Sequence, residues 1–279
     1  MKILAIGDFH GIFPKKLKNI AKKVDLILCT GDLGGSEKLL KLIFKHFSGK
    51  WWKKVGVEKA KKYIMEDYNS GKRIINELAS LNKEVYIISG NWDFISKSTL
   101  ERTAGLNLTM YPKLIKKHKK LHYWKRGLKK VRGLDILAFG GEITAGEYVN
   151  KKSFYKDNPK KLAKHTKANQ KHTNQIMKYS KKNLDILFAH YPAYGFFDKV
   201  KFKGENPMNG KHVGFMGYTE YIKKYKPKIF ICGHMHEYQG KTELGNTIII
   251  ATGAAKEGKG AMIEFDEKKG KVKKVELIR

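Results

Sequence analysis

The chain has few of the residues that mark secreted or thiolate-metal proteins. It contains two cysteines in 279 residues, Cys29 and Cys232, and each one ends an apolar run. Two cysteines without a CxxC pair provide neither a disulfide framework nor a thiolate zinc site. We therefore expect both to be reduced residues of buried strands.

Long apolar stretches are also missing. No run approaches the roughly 18 residues that a membrane span needs. The N-terminal run in "MKILAIGDFHG" is interrupted by Asp8 before it is long enough for a signal peptide. These absences predict a cytoplasmic protein that does not insert into a membrane.

Acidic residues are scarce, since 26 Asp and Glu stand against 58 Lys and Arg, for a formal net charge of +32. Such a field attracts polyanions such as nucleotides or nucleic acid, although a lysine-rich surface also keeps a protein soluble. Two segments concentrate the charge. Residues 113–132 have no acid and include Tyr123 and Trp124, and residues 151–182 have Asp157 as their one acid. Basic segments with aromatic residues are typical of nucleic-acid surfaces, and also of solvated hairpins or helices.

Short apolar runs recur along the chain, and each ends in glycine or a polar cluster. They predict buried strands at 2–6, 25–29, 84–89, 134–141, 184–190, 228–234 and 246–253. Helical patterns lie between several of them, at 57–81, 159–180, 218–225 and after the potential cap Ser36. This alternation predicts an α/β fold. Residues 244–278 have no helical period and predict antiparallel hairpins.

We expect one domain over residues 1–279, with helical or basic insertions at about 36–83 and 142–183. The first insertion contains Trp51 and Trp52, which could form a core corner, a dimer contact or part of a substrate cap.

Side chains that can bind metals follow five of the predicted strands. They are Asp8, His10, Asp32, Asn91, His190, His234 and His236. The carboxyl ends of strands in an α/β sheet are where ligands bind. Carboxylate, imidazole and amide ligands together suit manganese, iron, zinc or cobalt. We expect each glycine that directly precedes a ligand to let the backbone turn sharply, so that the side chain points back over the sheet.

These motifs, in this order, resemble the calcineurin-like metallophosphoesterase family. That family has D-x-H, G-D, G-N-H-D/E, a lone His and G-H-x-H, and this chain has "GDFHG", "TGD", "GNWD", "AHYP" and "CGHMH". The resemblance runs from Asp8 to His236. It implies a four-layer α/β/β/α sandwich of two mixed sheets around a site for two metals.

The resemblance also implies a role for each ligand. Asp8, His10 and His236 would hold the first metal, and Asn91, His190 and His234 would hold the second. Asp32 would bridge them, because two close cations need a shared carboxylate to offset their repulsion. The cofactor would be two divalent ions, manganese first, with iron, zinc, nickel or cobalt as alternatives. The implied reaction is hydrolysis of a phosphate ester, a diester before a monoester, by a metal-bridging hydroxide.

One residue departs from the family pattern. Trp92 stands where most members have the His that protonates the leaving oxygen. An indole N–H can donate a hydrogen bond but has no usable pKa. The substrate could have a good leaving group, or another histidine (His212 first, then His165 or His172) could supply the proton. Alternatively, the metal site could persist with weak catalysis.

The catalytic residues that we predict are Asn91, Asp93 and His212. Without its His partner, Asp93 has a structural alternative, which is to bind backbone N–H groups in the turn. The substrate is a phosphate ester, with a nucleotide or nucleic acid favoured by the basic surface. A nuclease is a narrower version of this function. The alternative function is a non-catalytic interaction protein, or a nucleic-acid-binding protein, with the same fold and a bound metal.

Overall fold

The computed structural model describes residues 1–45, 51–96, 105–141, 143, 159–181, 184–201 and 208–279. Two six-stranded sheets form its centre. Sheet A contains β1 Lys2–Ile6, β2 Leu26–Cys29, β3 Glu84–Ile87, β4 Leu121–Tyr123, β11 Gly260–Asp266 and β12 Lys271–Ile278. Sheet B contains β5 Arg126–Val131, β6 Leu134–Phe139, β7 Ile186–Ala189, β8 Ile229–Cys232, β9 Gly240–Leu244 and β10 Thr247–Ala251.

Both sheets are mixed. The order in sheet A is β12-β11-β1-β2-β3-β4. Strands β1 to β4 are parallel, β11 is antiparallel to β1, and β12 is antiparallel to β11. The order in sheet B is β5-β6-β7-β8-β10-β9, with β6, β7, β8 and β10 parallel. The predicted C-terminal hairpins are therefore divided between the sheets: β9 and β10 belong to sheet B, and β11 and β12 belong to sheet A.

Alternation along the strands separates the core into layers. In β1, Ile3 and Ala5 point between the sheets, whereas Leu4 and Ile6 point to the outer face of sheet A. Because both faces are covered, the parallel strands are apolar throughout. The predicted α/β/β/α sandwich is confirmed. Cys29 in β2 and Cys232 in β8 are buried and free, as predicted.

Helices cover the outer face of each sheet. The described helices are α1 Lys15–Ala21, α2 Glu37–Lys45, α3 Trp51–Val55, α4 Val57–Ser80, α5 Tyr111–Ile115, α6 Pro159–Met177 and α7 Met216–Tyr225. Helices α1, α4 and α5 pack on sheet A, and α6 and α7 pack on sheet B. Residues 144–158 of the second predicted insertion lie outside the described residues.

Helix α4 has two packing partners. Its second half, with Ile74, Ile75 and Leu78, packs in the layer over sheet A. Its first half packs with α2 and α3 in a separate apolar cluster around Leu39, Trp51, Ala60 and Ile64. We call this cluster the cap. The pattern in 57–81 predicted the helix, but not its division between two cores.

The basic segment 113–132 is neither one hairpin nor one helix. It runs from the end of α5 through β4, at the edge of sheet A, into β5, at the edge of sheet B. Trp124 is a buried residue of the core between the sheets, so it is not available to stack on a nucleic-acid base.

Asp67 on α4 is a buried carboxyl group beside the loop that follows β2. It is 2% exposed, and its Oδ1 has no hydrogen-bond partner among the described residues. Burial raises the pKa of Asp67 to about 8, and the charges of Asp32 and Asp93 add to the rise. The folded protein therefore keeps this group protonated at neutral pH.

This environment predicts a stability effect that depends on pH. An unfolded aspartate has a pKa near 4, so the folded state binds the extra proton between about pH 4 and pH 8. The free energy of unfolding should fall as pH rises through this window. Asp67→Asn removes the titration, so its stability relative to wild type should increase from pH 5 to pH 8. Urea unfolding of the metal-free protein measures this difference, with exposed Glu66→Gln as the control. A constant difference across the window would contradict the assignment.

Candidate metal centre

Five loops meet at the edge where the parallel strands of both sheets end. They follow β1, β2 and β3 in sheet A and β7 and β8 in sheet B. Backbone hydrogen bonds join the loop after β1 to the loop after β2, and the loop after β7 to the loop after β8. The N–H of Asp8 donates to Gly31 O at 2.8 Å, and that of His10 donates to Asp32 O at 3.1 Å. The N–H of Gly233 donates to His190 O at 3.0 Å. This framework brings all seven predicted ligands together.

Four of these ligands have a left-handed backbone. The φ angles are 57° for Asp8, 42° for His10, 54° for Asp32 and 70° for His234. Residues with a side chain rarely adopt this region, because the Cβ atom approaches the following carbonyl. Such conformations cluster at functional sites, where the surrounding structure holds them in place. Here they turn each ligand toward the other loops.

The prediction that the glycines make these turns is correct at Gly31, whose φ is 96°. It is wrong at Gly7, Gly90 and Gly233, which do not have positive φ. These glycines instead allow close approach. A Cβ on Gly90 would lie 2.0 Å from Asp32 Oδ1, and a Cβ on Gly233 would lie 2.4 Å from Asp8 Oδ2.

The first group of ligands consists of Asp8, His10 and His236. The Nε2 atoms of His10 and His236 lie 2.9 Å apart, and His236 Nε2 lies 3.4 Å from Asp8 Oδ1. The ligand atoms of all three residues lie within 4.8 Å of one another. Such spacing allows a single cation to bind all three.

The second group consists of Asn91, His190 and His234. Asn91 Oδ1 lies 2.9 Å from His190 Nε2 and 3.0 Å from His234 Nδ1. The two imidazole nitrogens are 3.2 Å apart. These three atoms face one another, as the ligands of one cation would.

Asp32 lies between the two groups. Its Oδ2 is 3.4 Å from His190 Nε2 and 3.9 Å from His10 Nε2. Its ligand atom, with those of Asp8 and His190, forms a further cluster within 4.8 Å. The carboxylate can therefore reach both positions.

The charges of the site are balanced internally. Burial favours the neutral form of both acids, but His236 holds the pKa of Asp8 below its ordinary value. His190 does the same for the pKa of Asp32. Burial opposes the charged form of His190, yet Asp32 raises its pKa to about 9. In the absence of metal, His190 and His236 therefore offset the charge of the carboxylates, and a divalent cation can take over this role.

Neighbouring groups orient the ligands. His190 Nδ1 donates to Thr30 O at 2.9 Å, which leaves Nε2 free to bind a metal. The carboxylate of Asp8 accepts the backbone N–H of His234 at 3.0 and 3.1 Å. Asp32 Oδ1 accepts the backbone N–H of Trp92 at 2.9 Å, so its Oδ2 is the oxygen directed at the histidines.

Asp93 contacts the backbone of the loops. Its carboxylate accepts N–H groups from Asp32 at 2.9 Å, from Leu33 at 2.8 Å and from Gly90 at 2.8 Å. Burial and the charge of Asp32 raise the pKa of Asp93 to about 6, although these hydrogen bonds act to lower it. Asp93 thus fixes the loop that carries Asp32, which is the structural role considered from the sequence. Its catalytic role stays a prediction.

None of the three candidate proton donors contacts the seven ligands in the described part of the chain. His212 Nδ1 donates to Asp198 Oδ1 at 2.7 Å. His172 on α6 packs its ring against Phe215 and has a buried Nδ1. Burial lowers the pKa of His172 to about 4, which makes it a poor acid at neutral pH. His165 lies on the same helix.

Trp92 connects the site to the cap. Its ring lies edge-on to that of His10, with centroids 6.3 Å apart, and it packs against the cap cluster around Trp51. A histidine would not fill this apolar position. The Trp51-Trp52 pair and Trp92 were the only signs of this contact in the sequence. No periodicity relates the two segments, which lie far apart in the chain.

Comparison with known proteins identifies the family. The model of a family described as "Metallophosphoesterase, calcineurin superfamily" matches residues 1–275. This chain belongs to that superfamily. It is a metal-dependent phosphoesterase, as the sequence motifs predicted. No curated protein matches the sequence.

Solved structures with the same architecture support the metallophosphoesterase fold. One crystal structure aligns over 100% of this chain and 99% of its own chain, with a TM-score of 0.62 and 20% identity. The crystal structure of TT1561 from Thermus thermophilus aligns over 100% and 99%, with a TM-score of 0.51 and 14% identity. In the described parts of this chain, every helix is too short or too polar to span a bilayer.

The position of Asp32 predicts how metal binding fails. Asp32→Ala should lose both metals, because it removes the carboxylate between the two ligand groups. His10→Ala should weaken binding of the first metal more than binding of the second. Asp25→Ala is the control. Asp25 lies just before β2, at the end of the strand opposite to Asp32, and its carboxylate accepts the backbone N–H of Lys2. Metal content per chain after loading with Mn²⁺ and gel filtration measures the outcome. Two metals retained by Asp32→Ala would refute the bridging role.

Proposed function

We propose that this metallophosphoesterase is a dinuclear enzyme that hydrolyses phosphodiesters. The observation that carries the proposal is the position of the Asp32 carboxylate between two groups of three ligands. His10 Nε2 and His190 Nε2 lie 3.9 and 3.4 Å from the same oxygen. Carboxylate, imidazole and amide donors fit manganese, and also iron, zinc, nickel or cobalt.

A bound pair of divalent cations supplies Lewis-acid activation of water and of the phosphoryl group near neutral pH. The residues of the chain would bind and orient these cations. Asp8 and Asp32 provide the negative charge, and the hydrogen bond from His190 to Thr30 fixes its tautomer. Asn91 provides an amide oxygen between His190 and His234.

The preference for a diester rests on charge and shape. A protein with a net charge of +32 concentrates nucleotides and nucleic acids around itself. The half-buried ring of Trp92 borders the first ligand group, where the base of a nucleoside leaving group could stack on it.

The proton for the leaving group is proposed to come from His212. Its partner Asp198 is 1% exposed, and Asp198 Oδ2 is held at 3.0 Å by the N–H groups of Gly195 and Gly214. A fixed carboxylate on Nδ1 orients the ring and leaves Nε2 to carry the transferable proton. The adjacent Val213 packs in one buried cluster with Met235, the residue between His234 and His236. The His212–Asp198 pair therefore lies beside the loop after β8, which contains His234 and His236.

Hydrolysis of bis-p-nitrophenyl phosphate and p-nitrophenyl phosphate tests the function. Both leaving groups depart without a general acid, so the missing histidine at position 92 does not limit the reaction. We expect faster release from the diester with Mn²⁺, none with EDTA, and none from Asp32→Ala. Asp25→Ala should behave as wild type. A protein that binds two metals and hydrolyses neither ester would be a binding protein with this fold, and faster monoester hydrolysis would refute the diester preference.

A second comparison tests His212. His212→Ala should lower turnover of a diester with an alkoxide leaving group roughly 100-fold, the lower range for loss of a positioned acid. Its turnover of bis-p-nitrophenyl phosphate should stay within a few-fold of wild type. His122→Ala is the matched control, because His122 also pairs with a carboxylate, that of Glu84, at 2.6 Å. Equal losses on both substrates, or no loss on either, would exclude His212 as the acid.

A further inference from the structure

The turn after β10 holds a lysine against the first group of ligands. A short 3₁₀ helix spans Ala255–Glu257. The N–H of Ala255 donates to Gly7 O at 2.8 Å, and that of Lys256 donates to Asp8 O at 3.3 Å. The backbone of Lys256 is thereby fixed to the backbone of the ligand Asp8.

Two lysines of this turn have different surroundings. Lys259 Nζ forms an ion pair with Glu257 Oε2 at 2.6 Å. Lys256 is half-buried, and among the described residues no carboxylate oxygen lies within 4.0 Å of its Nζ. Lys256 therefore keeps an uncompensated positive charge in a partly enclosed position.

That charge reaches the first ligand group. Burial is the main cause of the pKa of about 4 at His10, and Lys256 lowers it further. At His236, burial and Lys256 lower the pKa, although the hydrogen bond to Asp8 keeps it above its ordinary value. At the start of α2, the pKa of Glu37 is lowered mainly by Lys41 and also by Lys256. These effects agree with the backbone geometry, which joins Lys256 to Asp8.

A cation at this place would help to stabilise the charge of the substrate. A phosphate ester carries negative charge on its non-bridging oxygens, and position 92, where the family has an imidazole, holds an indole. Lysine is a flexible point charge that binds phosphate by charge-assisted hydrogen bonds. Because the backbone of Lys256 is fixed next to Asp8, its long flexible side chain can extend to an oxygen of a phosphoryl group bound at the first ligand group.

We propose that Lys256 binds a non-bridging oxygen of the substrate phosphoryl group at the first metal position. It supplies there the positive charge that Trp92 lacks. This inference rests on the proposed function, since it places the phosphoryl group at the same site. It adds a substrate-binding residue to the metal ligands and to His212.

The test compares Lys256→Met with Lys259→Met in the Mn²⁺-loaded protein. The two variants lose the same charge from the same turn. Calorimetry with inorganic phosphate should show at least tenfold weaker binding to Lys256→Met, as expected for the loss of one charged hydrogen bond. Lys259→Met should bind phosphate as wild type does, and Lys256→Arg should recover most of the affinity. KM for bis-p-nitrophenyl phosphate should rise in parallel, with metal content unchanged.

The outcomes separate this inference from the proposed function. Phosphate binding needs no turnover, so calorimetry tests Lys256 even if the protein hydrolyses nothing. Equal phosphate affinity in wild type and Lys256→Met would overturn the inference. Loss of metal from Lys256→Met, or an equal loss of phosphate affinity in Lys259→Met, would also overturn it. Loss of metal would mean that Lys256 acts on the metal ligands. An equal loss of phosphate affinity in Lys259→Met would mean that only the net charge matters.

Discussion

Two carboxylates lie close together at the edge where both sheets end, and the rest of the site depends on how their charge is offset. The ligand oxygens of Asp8 and Asp32 are within 4.8 Å of each other, and both residues are 1% exposed. Buried charges of one sign are costly unless cations or hydrogen-bond donors surround them. His236 and His190 fulfil this role when no metal is bound. Divalent cations on the same side chains offset the charge more strongly, so metal binding should stabilise the converging loops.

Holding the carboxylates together requires unfavourable backbone geometry. Asp8 and Asp32 both have left-handed backbones, and two neighbouring loops can approach them because Gly90 and Gly233 lack a Cβ. The strain persists because Asp93 binds three N–H groups of the loops that contain Asp32 and Gly90. Asp93 therefore matters to the site even without the His partner that the family motif provides.

Much of the fold could be predicted from the sequence, and so could the convergence of the seven candidate ligands. Parallel strands covered on both faces are apolar throughout, so the run at 184–190 marks β7 at Ile186–Ala189. The polar residues that interrupt such runs come directly after the strands, and parallel strands bring these residues to one edge. Motif order then identified the superfamily. The prediction was local, because each motif lies within a few residues.

The contacts between distant segments could not be predicted. Three contacts join residues that no periodicity relates: the packing of Trp92 against the cap, the pairing of His212 with Asp198, and the hydrogen bond from Lys256 to Asp8. The strands in segment 113–132 could not be predicted either. Its lysines obscure the alternation of β4 and β5, which lie at the edges of different sheets.

The central claim is that Asp32 joins two metal positions, and anomalous diffraction from crystals grown with Mn²⁺ tests it most directly. The account predicts two anomalous peaks about 3.5–4 Å apart. One should be bound by Asp8, His10 and His236, the other by Asn91, His190 and His234, and Asp32 should contact both. A single peak, or two peaks without Asp32 between them, would contradict it.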